Sequence, residues 1–307
     1  MFEPGTFFPG SVDRDGRHAG AYDPRSHWVY WAVRAVLALA IAALLAWPFA
    51  EPFLLQTEYV TLMAEDFPAE IGKLRIVYVS DIHKGGLYTD ARLRGLIQRI
   101  NAVGADLVLL GGDYAGDSES AIRFFQELPP ISAVYGVYGV LGNHDRTLPE
   151  ENLTRLTKAM RDAGVTPLVN AVERIRIGTG TIALAGLDDA YNGHPDLNGV
   201  SRQVSSSEYV ILLCHSPAEI DALLAARDQN GQHGWFDLGL FGHTHGGQVA
   251  LLGPLLWYDS VPDEYISGWV KRSRIDLLIS RGVGTSVLPV RWLCLPQMHV
   301  ITIQTVQ

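Results

Sequence analysis

Apolar, β-branched runs of four to eight residues recur along the chain from residue 74 onward. Five of them are Leu74–Val79, Leu107–Leu110, Val134–Leu141, Val210–Leu213 and Leu238–Phe241. Runs of this kind are typical of strands buried on both faces, as in the sheets of α/β proteins. A sixth run, Ile182–Leu187, has the same character. The pattern predicts a buried sheet core in which a polar block follows each of the first five strands.

Segments with helical periodicity lie between these strands. The predicted helices are Asp90–Val103, Ser118–Leu128, Pro149–Ala163 and one that runs from Ser216 to about Arg227. Thr89 is a suitable N-cap for the first helix, and Gly104 follows its end. Ser216-Pro217-Ala218-Glu219 has the form of a capping box with proline at the first helical position. Alternating strands and helices predict an α/β fold.

The N-terminal segment differs in kind. Residues 28–50 are apolar apart from Arg34, and about 20 helical residues span a hydrocarbon core. Trp28 and Trp47 mark its two ends, as expected of aromatic side chains at a membrane interface. Pro48 and Pro52 are expected to end this helix. A retained transmembrane helix is the favoured interpretation, and a buried core helix and a cleaved signal peptide are the alternatives.

These patterns divide the chain into four expected segments. They are a poorly ordered tail over residues 1–27, a transmembrane helix over 28–50, a connecting segment over 51–73 and one catalytic domain over 74–307. The chain has 307 residues, which suffices for one large domain with its own core. We expect a single-pass membrane protein.

The side of the membrane on which the catalytic domain lies stays open. Arg14, Arg17 and Arg25 precede the span, whereas no Lys or Arg occurs from residue 51 to residue 72. The positive-inside rule then places the N-terminus in the cytoplasm and the catalytic domain outside. A substrate made in the cytoplasm would require the opposite orientation.

The net charge limits the possible binding partners, and the two cysteines bear on disulfide formation. The formal net charge is −9 and no Lys/Arg-rich run occurs, which argues against a nucleic-acid partner. Cys214 and Cys294 both lie in apolar runs and are interpreted as buried thiols, with a disulfide as the alternative. Neither cysteine identifies the redox compartment.

The polar blocks carry the candidate chemistry. They are Asp81-Ile82-His83, Gly112-Asp113, Gly142-Asn143-His144-Asp145, Cys214-His215 and Gly242-His243-Thr244-His245. Ligands collect at the carboxyl ends of strands in α/β folds, so five such blocks predict a metal site. The seven ligand candidates are Asp81, His83, Asp113, Asn143, His215, His243 and His245, enough for two ions bridged by a carboxylate. Single blocks also occur as turns or packed histidines, but the complete ordered set favours a metal centre.

At these residues the chain resembles the calcineurin-like metallophosphoesterases. Their ordered pattern is Asp-x-His, Gly-Asp, Gly-Asn-His-Asp/Glu, His and Gly-His-x-His, and every element occurs here between Leu74 and the C-terminus. The resemblance implies a four-layer α/β/β/α sandwich of two mixed sheets, with two divalent metal ions at one edge. Mn is the ion we expect, and Fe and Zn are alternatives.

The resemblance also implies a role for each candidate. Carried over residue by residue, Asp81, His83 and His245 would hold one metal, Asn143, His215 and His243 the other, and Asp113 would bridge them. His144 matches the family's non-ligand histidine, which contacts phosphoryl oxygens or protonates the leaving group. Asp145 would orient His144.

The flanking segments resemble one branch of the family. Gly242 to Gln248, Ser280 to Ser286 and Pro289 to Arg291 are similar to membrane-associated bacterial phosphodiesterases, including the chlamydial-type UDP-2,3-diacylglucosamine pyrophosphatase of lipid A synthesis. Pro296-Gln297 stands where that branch tends to have Pro-Glu. The implied function is hydrolysis of a lipid-linked or nucleotide-sugar-lipid phosphate. An exported phosphodiesterase, a phosphomonoesterase and a non-catalytic scaffold of the same fold are the alternatives.

Two further features have no assigned chemistry. Asp188 and Asp189 follow the sixth strand, and we expect them to support a turn or the site from behind, with substrate contact as the alternative. The apolar run from Leu251 to Tyr258 follows the last polar block. It is expected to form either part of the core or a lip that meets lipid.

Overall fold

The computed structural model describes residues 24–147, 150–250 and 261–306. Its α-helices are α1 (Pro24–Ala50), α2 (Asp90–Val103), α3 (Ser118–Gln126), α4 (Glu150–Asp162), α5 (Leu197–Ser201) and α6 (Ile220–Ala225). Its strands are β1 (Gln56–Ala64), β2 (Lys73–Val79), β3 (Leu107–Leu110), β4 (Val137–Gly139), β5 (Val165–Pro167), β6 (Ala171–Ile177), β7 (Gly180–Gly186), β8 (Val210–Leu213), β9 (Leu238–Phe241), β10 (Gly268–Arg272), β11 (Ile275–Ile279) and β12 (Gln297–Thr305). Most of the expected N-terminal tail, Pro149 and the run from Leu251 to Tyr258 lie outside the described residues.

The strands form two six-stranded mixed sheets. The first has the order β1-β12-β2-β3-β4-β5, and the second has the order β10-β11-β9-β8-β7-β6. In each sheet four consecutive strands run parallel, namely β2 to β5 in the first and β11, β9, β8 and β7 in the second. Antiparallel pairs flank these parallel stretches. The expected mixed architecture is confirmed.

The central core lies between the two sheets. Successive side chains of a strand point to opposite faces of the sheet, so alternate residues of β2 serve different layers. Leu74, Ile76 and Tyr78 share a buried cluster with Ile211 of β8 and Leu240 of β9. This alternation makes the inner faces of both sheets continuous and apolar.

Helices cover the outer faces. Val77 of β2 belongs to a second buried cluster with Leu93 of α2 and Phe124 of α3. On the other sheet, Val210 of β8 shares a third cluster with Leu223 of α6. The layers are therefore helix, sheet, sheet and helix, as the family resemblance implies.

Three elements depart from the sequence-based expectations. β4 covers only Val137–Gly139 because Gly136, with φ of 107°, interrupts the predicted run. The segment 51–73, expected as a connector, contains the edge strand β1, which pairs in parallel with β12. After Ser216 the chain forms a short 3₁₀ turn, Pro217–Glu219, before α6 begins at Ile220.

The apolar N-terminal helix forms a unit by itself. The chain divides into Met1–Trp47 and Pro48–Gln307, and α1 provides the described part of the first unit. An 18-residue stretch within His27–Phe53 has a mean hydropathy of 2.1, and none of that stretch is buried. A core helix would be mostly buried, so that interpretation is excluded, whereas a membrane span and a signal sequence both fit. Pro48 lies inside α1 and does not end it.

Candidate metal centre

The five polar blocks all follow the carboxyl ends of parallel strands. Asp81 and His83 follow β2, Asp113 follows β3, and the block from Gly142 to Asp145 follows β4. In the second sheet, His215 follows β8 and the block from Gly242 to His245 follows β9. Because strands within each parallel stretch share a direction, their carboxyl ends lie at one edge of the sheet. The side-chain distances below show that the two edges meet.

Asp81, His83 and His245 form the first group of potential ligands. One ligand atom from each residue lies within 4.8 Å of the others, and all three residues are buried. His245 Nε2 is 3.6 Å from Asp81 Oδ1 and 3.1 Å from His83 Nε2. These are the residues assigned above to one metal.

Asp113, His215 and His243 form the second group, with the same 4.8 Å limit between ligand atoms. His243 Nδ1 is 2.9 Å from the side-chain oxygen of Asn143, so the fourth candidate joins them. Asp113 Oδ2 lies 3.3 Å from His215 Nε2 and 3.5 Å from His83 Nε2. Asp113 therefore lies between the two groups, in the position expected of a bridging carboxylate.

His144 adjoins both groups and forms a third cluster of possible ligands with His83 and Asp113, within the same 4.8 Å limit. Its backbone N–H donates to Asp113 Oδ1 at 2.9 Å, and its ring lies edge-on to His83 with the centroids 4.9 Å apart. Its Nδ1 is 3.0 Å from the carbonyl oxygen of Gly116, and its side chain lines a cavity of about 330 Å³ with Leu87. The half-buried ring therefore faces the space in which a substrate would lie.

Asp145 has a different role from the one expected. Its carboxylate accepts hydrogen bonds from the backbone N–H groups of Asp113 at 2.7 Å, Gly142 at 2.9 Å and Tyr114 at 3.1 Å. Among the described residues, no hydrogen bond joins it to the His144 side chain. Asp145 fixes the turns after β3 and β4, and the Gly116 carbonyl orients the imidazole instead.

Many of the candidate ligands have a left-handed backbone. The φ angles are 56° at Asp81, 46° at His83, 56° at Asp113, 70° at His243 and 51° at His245. Non-glycine residues adopt this region at an energetic cost, and such strain concentrates at functional sites. The turns therefore place these side chains at the expense of local backbone stability.

Glycine is required where the turns pass each other. A Cβ atom at Gly142 would lie 2.2 Å from Asp113 Oδ1, and one at Gly242 would lie 2.5 Å from Asp81 Oδ2. Both distances are far below van der Waals contact. Any side chain at either position would displace a candidate ligand.

Comparison with known proteins agrees with this geometry. A sequence model of the calcineurin-like phosphoesterases matches residues 74–247, which contain all seven candidate ligands. The chain belongs to the calcineurin-like phosphoesterase family. A Bacillus subtilis relative, "Uncharacterized metallophosphoesterase YkuE", is 30% identical over 84% of this chain and 88% of its own length. "Phosphodiesterase YaeI" of Escherichia coli is 28% identical over 76% of this chain and 84% of its own length.

A solved structure has a weaker likeness to this calcineurin-like phosphoesterase. The phosphopantetheinyl hydrolase PptH of Mycobacterium tuberculosis matches with a TM-score of 0.44 and 11% identity, over 68% of this chain and 89% of its own. The family assignment does not depend on it. Family membership and the two residue groups together indicate a metal-dependent phosphoesterase with a dinuclear centre.

The donor set of this phosphoesterase fits divalent cations. Asp81 Oδ2 and His215 Nε2 are buried and have no hydrogen-bond partner among the described residues. His215 Nδ1 is 2.7 Å from the carbonyl oxygen of Gly111, so Nδ1 carries the proton and Nε2 is directed toward Asp113. Buried polar atoms without partners are costly, and a coordinated cation would satisfy both.

Electrostatics keep three histidines neutral. Burial is the main cause that lowers the pKa of His83 to about 4, that of His243 to about 3 and that of His245 well below its usual range. Nearby histidines lower these pKa values further. Neutral imidazole is the form that binds metals, so these rings are ready for coordination at neutral pH.

The carboxylates experience opposing influences. Burial raises the pKa of Asp81 to about 6, although the charge of His215 offsets part of the effect. Burial also raises the pKa of Asp113. The neighbouring His215 and then His83 lower it by more, so that the pKa of Asp113 lies well below its usual range. The same pairing with Asp113 raises the pKa of His215 despite its burial.

The supporting role of Arg291 was not predicted from the sequence. Arg291 is fully buried, and its guanidinium donates to the carbonyl groups of Arg281, Gly282, Gly284 and Cys294. The backbone N–H of Gly284 donates in turn to the Asp81 carbonyl at 2.7 Å. Arg291 thus supports the turn that carries Asp81. The sequence signal for this role is a basic residue, Arg291, within an otherwise apolar stretch.

The loop after β7 supports the site from the other sheet. Asp189 accepts hydrogen bonds from the backbone N–H groups of Tyr191 and Asn192, which confirms the expected turn role. The Asn192 side chain donates to the Asn143 carbonyl at 2.8 Å. The Tyr191 ring stacks on His243 with centroids 4.9 Å apart. Asp188 is buried and pairs with Arg146 at 3.0 Å.

Proposed function

We propose that this protein is a membrane-anchored phosphodiesterase that hydrolyses a lipid-linked or nucleotide-sugar-lipid phosphate such as UDP-2,3-diacylglucosamine. The observation that carries the proposal is the meeting of two ligand groups around Asp113, where His83 Nε2 and His215 Nε2 both approach the same carboxylate oxygen. A shared carboxylate is the element that a two-metal phosphoesterase requires.

The proposed ligand assignment follows the two groups. Asp81, His83 and His245 would hold one ion, Asn143, His215 and His243 the other, and Asp113 both. Two bound cations supply charge neutralisation for the phosphoryl oxygens and activation of a water molecule. We expect Mn, with Fe and Zn as alternatives, because mixed nitrogen and oxygen donors suit all three.

His144 is the proposed proton donor to the leaving oxygen. The Gly116 carbonyl only accepts hydrogen bonds, so His144 Nδ1 carries a proton and Nε2 is the nitrogen left for the substrate. In the imidazolium form, the Nε2 proton passes to the leaving oxygen as its bond to phosphorus breaks. The contact of the His144 N–H with Asp113 fixes this residue relative to the ligands.

Two observations support a diester with a lipid part. A relative of similar length bears the name phosphodiesterase, and the most apolar 18-residue stretch of α1 is not buried. A membrane-tethered hydrolase meets substrates that reside in the same membrane. The proposed location is the bacterial inner membrane, with one span.

The test is hydrolysis of UDP-2,3-diacylglucosamine by the detergent-purified chain with added Mn²⁺, beside the Asp113→Ala variant. Metal-dependent release of UMP that is absent in the variant would support the proposed substrate class. No release, while bis(p-nitrophenyl) phosphate is still cleaved, would retain the chemistry and discard this substrate.

The second candidate is an exported phosphodiesterase or phosphomonoesterase. The arginine residues before the span favour an external catalytic domain, where a UDP-linked substrate is absent. Comparing p-nitrophenyl phosphate with its diester analogue separates the two activities. A non-catalytic scaffold is disfavoured because all seven candidate ligands and His144 are present.

A further inference from the structure

Five large apolar side chains are exposed in residues 53–54 and 287–293. We call Phe53, Leu54, Val287, Leu288 and Leu293 the apolar rim; Val287 is 87% exposed and Leu293 is 60% exposed. Val287 and Leu288 also line the cavity that contains His83 and His144. Contiguous exposed apolar groups on a soluble surface generally mark an interaction site.

Two rim residues adopt strained backbone conformations while their side chains remain exposed. The φ angle is 59° at Val287 and 56° at Leu293. A β-branched residue in the left-handed region is a clear outlier and destabilises the fold. Burial of these two side chains does not offset that cost, since both are exposed. The strain is therefore consistent with a function of the exposed surface.

The rim is held in place by a buried side chain. Gln248 is fully buried, and its amide nitrogen donates to the carbonyl groups of Ser286 at 2.9 Å and Leu288 at 2.8 Å. Its amide oxygen accepts from the Ser286 N–H at 2.8 Å. The buried Gln248 side chain therefore fixes the loop that carries Val287 and Leu288.

The rim is also tied to the residues that follow the apolar helix in sequence. The Glu51 carboxylate accepts hydrogen bonds from the backbone N–H groups of Leu293 and Cys294. The Arg291 N–H donates to the Pro48 carbonyl at 3.0 Å. One part of the rim therefore lies next to the point at which the chain leaves the proposed span.

Arg92 links the same segment to the cavity. Its guanidinium lies 4.7 Å from the Phe53 ring centroid and donates to the carbonyl groups of Leu87 and Pro52. Leu87 lines the catalytic cavity. The exposed ring of Phe53 is therefore fixed relative to the cavity mouth.

We propose that the apolar rim docks into the lipid surface at the membrane face where the apolar helix ends, so that the catalytic cavity opens onto the bilayer interface. This inference rests on the membrane anchoring in the proposed function and adds the direction from which a lipid substrate enters. The continuity between residues 48–54 and the rim favours lipid over a protein partner. Side chains of this type insert at the headgroup boundary.

The test uses single-cysteine labelling of the full chain. Cys214 and Cys294 are both buried, so a label at Val287→Cys or Leu288→Cys reports the introduced position. Val134→Cys is the matched control, because Val134 is 70% exposed and precedes β4, at the amino end of the strands. The labelled proteins are reconstituted in vesicles of phosphatidylethanolamine and phosphatidylglycerol, with and without doxyl-labelled phosphatidylcholine.

We expect a blue-shifted emission and several-fold stronger doxyl quenching of a nitrobenzoxadiazole label at residues 287 and 288 than at residue 134. Equal quenching at all three positions would overturn the proposal, as would failure of the full chain to float with the vesicles. Self-quenching between labelled copies without doxyl quenching would assign the rim to a second copy instead. Stronger doxyl quenching at residues 287 and 288 in a chain that hydrolyses no phosphodiester would support docking of the rim into lipid and would reject the proposed function.

Discussion

At the scale of single residues, Asp113 connects the two halves of the site. It lies on the turn after β3, and its carboxylate faces histidines from both sheets. Its own backbone N–H is held by Asp145. No other candidate ligand belongs at once to the two proposed metal sites, so its loss has the largest expected effect.

We predict that Asp113→Ala abolishes hydrolysis and removes at least one bound ion per chain. The reason is that one carboxylate serves both proposed sites. Metal content by elemental analysis and the rate on bis(p-nitrophenyl) phosphate measure the effect. A variant with two ions and full activity would show that Asp113 is not the bridge.

His144→Ala is predicted to keep its metal and lose most turnover, by about 10²- to 10⁴-fold if the imidazole acts as general acid. The loss should be smaller for substrates with a good leaving group such as p-nitrophenol, because they need less proton transfer. Metal loss as large as in Asp113→Ala would instead identify His144 as a ligand.

Arg291→Met is predicted to lower the free energy of unfolding by several kcal/mol, since each buried carbonyl left without a donor costs about 1–3 kcal/mol. Arg155→Met is the control, because Arg155 forms an exposed ion pair with Glu119, and such pairs contribute little to stability. Urea unfolding of both variants tests the difference. Equal midpoints would contradict the structural role assigned to Arg291.

At the scale of elements, local signals predicted α2 but not the edge strand β1. α2 has the predicted bounds, Thr89 caps it, and Gly104 ends it with φ of 62°. Capping depends on residues adjacent in sequence, which is why it was predictable. β1 was missed because its partner β12 lies more than 230 residues away and its burial alternates weakly.

Asp237, immediately before β9, provides a pH-dependent test of stability at the strand end. Its carboxylate accepts from the Val210 N–H at 2.7 Å, and burial raises its pKa to about 6. The pKa of an aspartate in an unfolded chain is about 3.9. The folded state therefore binds the Asp237 proton more tightly than the unfolded state does. The resulting contribution to the free energy of unfolding is fully present below about pH 4 and is lost as the pH rises through about 6.

Asp237→Asn is predicted to abolish this loss of stability at higher pH, because the amide oxygen still accepts a hydrogen bond from the Val210 N–H but carries no charge. The variant should be more stable than the parent at pH 7 and similar to it at pH 4, as measured by urea midpoints. An unchanged difference at both pH values would contradict the raised pKa.

At the scale of the whole molecule, the compact catalytic unit begins earlier than the sequence indicated. It extends over Pro48–Gln307, whereas the predicted domain begins at residue 74. The additional residues supply β1, whose nine residues pair with β12. They also supply Glu58, which lies 3.2 Å from the buried His299.

We predict that a chain starting at Pro48 folds and cleaves bis(p-nitrophenyl) phosphate at a rate near that of the full protein. A chain starting at Leu74 should aggregate or unfold at lower temperature, because it exposes the edge of β12 and removes Glu58 from the buried His299. Circular dichroism melting and the diester assay compare the two. Equal stability would show that β1 is dispensable.

The sequence by itself determined the candidate ligand residues, the strands that carry them and the apolar helix, because each depends on residue types in short segments. The tertiary structure decided which groups meet. Asp113 faces histidines of both sheets, Asp145 holds backbone turns instead of His144, and Arg291 supports the Asp81 turn from about 200 residues away. These contacts depend on how two sheets pack face to face. Such packing is set by long-range burial and hydrogen bonding that no local pattern encodes.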